Sequence, residues 1–125
     1  MNAGAVTVVF YCDEHDCPAL GWLEGLPERA YAKGFVRIER LAQLGHELRR
    51  PEADYLGDGI YELRWRLGNV NYRVLYFFHG RETVVLAHGL TKEAKVPDKD
   101  IDLAIKRKAL YLENPDKHSY HEQLP

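Results

Sequence analysis

Ile60-Tyr61-Glu62-Leu63-Arg64-Trp65-Arg66-Leu67-Gly68-Asn69-Val70-Asn71-Tyr72-Arg73-Val74-Leu75-Tyr76-Phe77-Phe78 is the stretch that decides the fold. Two runs of strand-forming residues flank Gly68-Asn69, a pair suited to a two-residue hairpin turn. With those two residues as the loop, Leu67 pairs with Val70 and Arg64 lies directly opposite Arg73. Like charges facing each other across a sheet repel. At roughly 6 Å the repulsion is about 0.7–3 kcal/mol for effective dielectric constants of about 80 to 20. A sheet that keeps such a pair has an anion to place there, and a phosphate is the best fit.

Working outward, Phe78-His79-Gly80-Arg81-Glu82-Thr83 reads as a second tight turn. With Gly80 and Arg81 as its loop, Arg73 falls opposite His88, giving a row Arg64, Arg73, His88 on three adjacent strands. The strands are expected at about 60–67, 70–78 and 83–90. Alternation places Tyr61, Leu63, Trp65, Leu67, Tyr72, Val74, Tyr76, Phe78, Val85 and Ala87 on one apolar face, which helices must cover. The other face carries Glu62, Arg64, Arg66, Asn71, Arg73 and His88 at one end. At its far end it carries Leu75, Phe77, Val84 and Leu86, to be covered by the first strand or by a partner segment.

Upstream, Val6 to Cys12 is a short β-rich run. Pro27 marks a helix start and Gly45 a stop. Tyr31, Phe35, Ile38 and Ala42 recur at helical spacing and predict its buried face. Gly34 within that helix marks a close approach. His46 to Gly59 reads as a polar connection. Downstream, Pro97 followed by Asp98 and Asp100 opens a last helix to about Glu113. Its expected buried stripe is Ile101, Ala104, Ile105 and Leu112. The expected architecture is α+β: an antiparallel sheet with helices packed on one face, forming a single domain over residues 1–125 with 114–125 as a polar tail.

The chain has 125 residues, suited to one core, and a net charge of −2. That balance does not mark a nucleic-acid binder, but its distribution is uneven. Residues 1–54 carry six Lys/Arg against nine Asp/Glu, and residues 55–111 carry ten against seven. The excess cations sit in the hairpins and the last helix. No apolar run reaches membrane-spanning length and no signal-peptide pattern stands at the N-terminus, so no membrane partner is expected. Cytoplasm is the expected compartment, with Cys12 and Cys17 as free thiols.

A phosphate, or the extra charge of a phosphorane, needs fixed cations and a proton donor. Arg64 and Arg73 supply planar, permanently charged forks. His88, Lys92 and Lys95 can move protons or add charge. Arg66, Lys106 and Arg107 could extend a phosphate-tracking surface, although Lys106, Arg107 and Lys108 also suit a helix C-terminus. Cys12, His15 and Cys17 fall short of the four ligands a closed zinc site requires, so no metal is expected. His118, Tyr120 and His121 read as surface residues of the tail. There is no phosphate-loop, dinucleotide or nucleophile-elbow motif, and no cofactor is expected.

Gly59-Ile60-Tyr61-Glu62-Leu63-Arg64, Tyr72-Arg73-Val74-Leu75-Tyr76-Phe77, His88-Gly89-Leu90-Thr91-Lys92, Lys95 and Pro97 together resemble the phage-derived branch of the RelE/HigB-type toxins of type II toxin–antitoxin systems. The resemblance covers roughly residues 48–112. It implies a microbial-RNase-like (RelE-like) fold. It also implies an mRNA endonuclease acting on the translating ribosome, and a small antitoxin partner, often of the helix-turn-helix type. In that family's pattern Arg73 matches the Arg that stabilises the scissile phosphate, and Arg64 a basic residue near it. Lys92 and Lys95 match the basic segment before the last helix, and His88 the His-Gly position. The chemistry implied is metal-free attack of a ribose 2′-OH on the adjacent phosphate. Glu93 and the acidic balance fit a second reading, a catalytically silent RNA- or protein-binding module on the same fold.

Overall fold

The computed structural model describes residues 4–91 and 95–120. Five strands form one sheet: β1 (Thr7–Phe10), β2 (Ala53–Gly57), β3 (Ile60–Leu67), β4 (Val70–His79) and β5 (Thr83–Thr91). Three α-helices pack on it: α1 (Pro18–Glu24), α2 (Glu28–Leu44) and α3 (Asp98–Glu113). The strand order is β1-β5-β4-β3-β2. The α+β architecture expected from the sequence is the one observed.

Several details differ. The sheet is mixed, because β1 runs parallel to β5, with Val8 opposite Val84 and Phe10 opposite Leu86. A parallel neighbour requires a long crossover, and the chain makes one through α1 and α2 before the hairpins begin. β2 lies where a polar connection was expected. It is an edge strand, with Ala53 buried and Tyr55 exposed, so its sequence lacks the apolar run of the central strands.

Helices cover both faces, not one. α1 and α2 cover Leu63, Trp65, Tyr72, Val74, Tyr76, Val84 and Leu86. On the other face α3 covers Ile60, Leu75, Phe77, Val85, Ala87 and Leu90. Central strands apolar on both sides require covering on both sides. The segment over Leu75 and Phe77 is thus α3, and Val84 and Leu86 belong to the opposite layer. The cause lies in the β4–β5 connection. Its loop has three residues, Gly80 to Glu82, so that His79 pairs with Thr83 and Phe78 with Val84. Gly80 takes a φ of 67°, the left-handed position such a loop needs. One residue of slip turns every side chain to the other face.

α2 runs where Pro27 and Gly45 bracket it, but its buried face is rotated from the expected one. Ala30, Gly34 and Leu41 are buried, while Tyr31 and Phe35 are 37% and 48% exposed. The Trp65 indole explains the rotation. It lies directly beneath the helix and donates its Nε1–H to the Ala30 carbonyl at 3.0 Å. A Cβ on Gly34 would overlap that indole, so small residues face the sheet and large ones turn outward. Gly89 does the same under α1, where a Cβ would overlap Trp22. α3 buries Ala104 and Tyr111 and leaves Leu112 exposed, because Tyr111 reaches His79 with its hydroxyl at 3.1 Å.

The two cysteines are not free. A turn closed by the Asp13 N–H to Asp16 O bond (2.7 Å) brings the Cys12 and Cys17 Cα atoms to 4.1 Å, and the side chains form a disulfide. Nor is the first part of the tail a surface appendage. His118 is buried, stacks on Tyr11 at 5.2 Å and pairs with the Cys12 carbonyl through Nδ1 at 2.8 Å. Tyr11 is bridged to Ser119. His121 lies outside the described residues.

Candidate functional site

Arg64 on β3 and Arg73 on β4 are register partners, as the Gly68-Asn69 turn dictates. Both project toward α3, into a cleft of about 410 Å³ between the β2–β4 end of the sheet and the start of that helix. Lys95, exposed, lines the cleft as well, while its neighbour Val96 is buried and anchors the segment. Leu56 and Ile101 supply apolar walls.

Glu62 holds the two arginines. It sits two residues before Arg64, hence on the same face, and is only 3% exposed. Its carboxylate forms an ion pair with Arg64 Nη1 at 3.2 Å and accepts from Arg73 Nη1 at 3.4 Å. The repulsion expected between the arginines is thereby offset from below. Arg64 also donates Nε–H to the Pro51 carbonyl at 3.0 Å and lies 3.8 Å from Asp54. Asp54 itself is held below the usual carboxylate range, first by the hydrogen bond from Arg50.

Arg73 is the deeper of the two arginines, its side chain 11% exposed against 32% for Arg64. Its Nε is buried and has no hydrogen-bond partner among the described residues. A buried unpaired donor is costly, by about 1–3 kcal/mol. Here it belongs to a permanently charged fork at the floor of a cleft. The cleft therefore faces a ligand with the guanidinium groups of both arginines, while this one N–H stays closed off from it. Arg64, Arg73 and Lys95 are balanced by Asp54, Glu62 and Asp98 around the same space. The cleft is therefore no general trap for anions, and a ligand must compete with Glu62 for the arginines.

A family model described as "Phage derived protein Gp49-like (DUF891)" matches residues 21–109, from α1 through most of α3. The chain belongs to that Gp49-like family. It is a family of phage-derived proteins associated with RelE-like toxins. No curated protein matches the chain. The match contains the whole cleft.

The remaining predicted residues of this Gp49-like protein are placed elsewhere. His88 does not face Arg73, which is opposite Leu90. A β-bulge at Ala87 moves His88 opposite Leu75. It stays on the α3 side but is drawn under the helix. There its Nε2 meets Asp100 Oδ1 at 2.7 Å and its Nδ1 meets Arg107 Nη1 at 3.2 Å. Arg107 can only donate, so Nδ1 accepts and Nε2–H donates to Asp100. Arg107 also donates to the Ala87 carbonyl at 2.7 Å and lies over the Tyr11 ring. Burial lowers its pKa. It is thus an internal tie between α3 and β5. Arg66 is exposed and donates to the Gly68 carbonyl at 2.8 Å. Lys106 is exposed on α3. Lys92 lies outside the described residues.

The reasoning from sequence placed Glu62 on the Arg64 face, in a salt-bridged set with Arg64 and Arg66, but did not assign it to Arg73, and it did not single out Asp100 or the arginines before β2 as site residues. Glu62 had a usable signal, since strand periodicity puts it between Arg64 and the sheet centre. Asp100 had none, because its partner is set by a bulge.

Proposed function

We propose that this protein is a RelE/HigB-type toxin of a type II toxin–antitoxin system, an endoribonuclease that cuts mRNA on the ribosome in the cytoplasm. The observation that carries the reading is the Arg64–Arg73 pair, rigidly placed on adjacent strands and lining one cleft. Membership of a phage-derived family associated with RelE-like toxins supports it. The partners are mRNA in the ribosome and a neutralising antitoxin, of the helix-turn-helix type.

In the proposed reaction a ribose 2′-oxygen attacks the adjacent phosphorus. The bond from phosphorus to the 5′-oxygen breaks, leaving a 2′,3′-cyclic phosphate. The proton lost from the 2′-OH is matched by one gained by the leaving 5′-oxygen, and no metal is called for. Arg73 and Arg64 hold the phosphate and stabilise the extra negative charge. Lys95 is the lysine that lines the described cleft and serves in proton transfer, with Lys92 three residues before it in sequence. DNA is excluded because it lacks the nucleophile. Losing one charge-stabilising donor typically costs about 10²–10³ in rate.

The test is induced expression of wild type and Arg73→Ala in bacteria, with mRNA ends mapped by primer extension. New ends and growth arrest with wild type only are expected. Cleavage by a folded Arg73→Ala protein at the wild-type rate would refute the assignment. A second reading, a catalytically silent binding module, is favoured by Glu62 lying between both arginines and by His88 being tied to Asp100 and Arg107. Absence of cleavage by folded wild type would support it.

A further inference from the structure

The cleft does not end at Arg64. That residue also lines a hollow of about 440 Å³ bounded by Arg50, Pro51 and Trp65. Arg50 in turn lines a third hollow, of about 470 Å³, with His46, Arg49, Tyr55 and Tyr61. Each space shares an arginine with the next, so a path lined by arginines leads around the β2 edge from the α3 face to the α2 face, with Asp54 paired to Arg50 and lying 3.8 Å from Arg64 along it.

The third hollow holds a fixed, exposed aromatic ring. Tyr55 is 54% exposed, and its hydroxyl accepts the Gly59 N–H at 3.0 Å. Its ring packs against Tyr61 at 4.8 Å, and Tyr61 stacks on Tyr76 at 5.4 Å, within the core. A ring pinned at its tip and backed by two others cannot fold away from water. His46, on the far wall, is stacked on Phe78 at 3.6 Å. Arg49 is exposed and forms no ion pair among the described residues. Pre-ordered aromatic rings interleaved with cations are the pattern that binds single-stranded nucleic acid. Bases stack on the rings, and arginines track the backbone.

We propose that the Tyr55–Tyr61 hollow is a base-stacking subsite. It seats one nucleobase of a single-stranded RNA whose phosphates pass Arg50 and Arg64 on the way to Arg73. The assignment rests on reading the Arg64–Arg73 cleft as a phosphodiester site. It adds a second contact, on the opposite face of the sheet, that fixes the register of the strand. A protein ligand is less suited, because the hollow presents the Tyr55 and Tyr61 rings beside Arg49 and Arg50, with Asp54, paired to Arg50 at 2.9 Å, as the acidic residue of its lining.

The test uses a short 2′-O-methyl RNA, which cannot be cleaved by 2′-OH attack. The strand carries one 2-aminopurine, and its control is abasic at that position. Binding is read by anisotropy and stacking by quenching of the aminopurine. Wild type is expected to quench. Tyr55→Leu should lose the quench and about 5- to 100-fold in affinity, and Tyr55→Phe should keep the quench. The abasic strand should bind both wild type and Tyr55→Leu with one affinity. A urea midpoint confirms that each variant is folded.

If Tyr55→Leu changes neither quench nor affinity, the subsite is overturned, whatever the cleavage assay gives. Equal binding of the abasic and intact strands by wild type also overturns it, and leaves the hollow to a peptide added along β2. A Tyr55-dependent quench without cleavage on ribosomes upholds the subsite while refuting the nuclease reading.

Discussion

Replacing Glu62 by Gln separates what holds the arginines from what they hold. Glu62 is 3% exposed and lies 3.2 Å from Arg64 and 3.4 Å from Arg73. At an effective dielectric constant of about 20 each contact is worth about 5 kcal/mol gross. Desolvation of a buried carboxylate takes back several kcal/mol. Removing one partner from such a set costs about 3–5 kcal/mol, because the other charges stay buried. Glutamine keeps an acceptor oxygen, so the expected loss is at the low end, about 3 kcal/mol. With a urea slope of about 1–3 kcal/mol/M, the midpoint falls by roughly 1–3 M.

The same change frees both guanidinium groups for an external anion. At 100 times its dissociation constant a bound anion returns about 2.7 kcal/mol. Urea unfolding of wild type and Glu62→Gln, with and without sodium sulfate, is the assay. Comparing the two proteins at one sulfate concentration cancels the general effect of sulfate on protein stability. The variant should be less stable in low salt and should recover most of the loss in sulfate. Equal stability of the two proteins without sulfate would refute the clamp. Equal gains from sulfate would refute competition between Glu62 and an anion.

Other expectations follow from the fold. Gly34→Ala should cost about 1–3 kcal/mol by pressing a methyl group on the Trp65 indole, despite roughly 1 kcal/mol gained in helix propensity; a stabilised variant in thermal melting would refute the packing. Cys12→Ser opens a loop whose ends are five residues apart and should cost about 2 kcal/mol by loop entropy; urea midpoints of the variant and of reduced wild type should coincide. The Glu52 carboxyl is held below its usual range, first by the hydrogen bond from Arg40 and then by the Arg37 charge. Its contribution is complete above about pH 4.3 and is lost as pH falls through the depressed folded value, since the unfolded chain takes up the proton first. Glu52→Gln should therefore be destabilised at about pH 6, with the gap to wild type narrowing as pH falls below about 4.3 in urea titrations.

The β3–β4 hairpin was legible because Gly68-Asn69 admits one register, and that register alone brings Arg64 to Arg73. α2 and α3 were legible from Pro27, Gly45 and Pro97. The β4–β5 pairing was not. Gly80-Arg81 suits a two-residue loop as well as Gly80-Arg81-Glu82 suits a three-residue one, and nothing local distinguishes Ala87 as a bulge. Those two slips turned Val84, Val85 and Leu86 over and drew His88 away from Arg73, under α3. The face of α2 was misjudged because apolar spacing favoured Tyr31 and Phe35, whereas the decisive constraint was an indole on another element. The disulfide depends on the local turn from Asp13 to Asp16, and the burial of His118 on contacts that bring a distant segment to the end of β1. No periodicity records these.

The tie between the two ends of the chain also sets when this protein can exist. Cys12 and His118 are 106 residues apart and meet at the end of β1. Translation at about 5–20 residues per second puts roughly 5–20 seconds between their syntheses. β1 likewise waits for β5, its neighbour in the sheet. The N-terminal strand therefore spends most of the chain's synthesis with its edge unpaired. The sheet closes only once β5 has been made, and the end of β1 is capped only once His118 and Ser119 have followed.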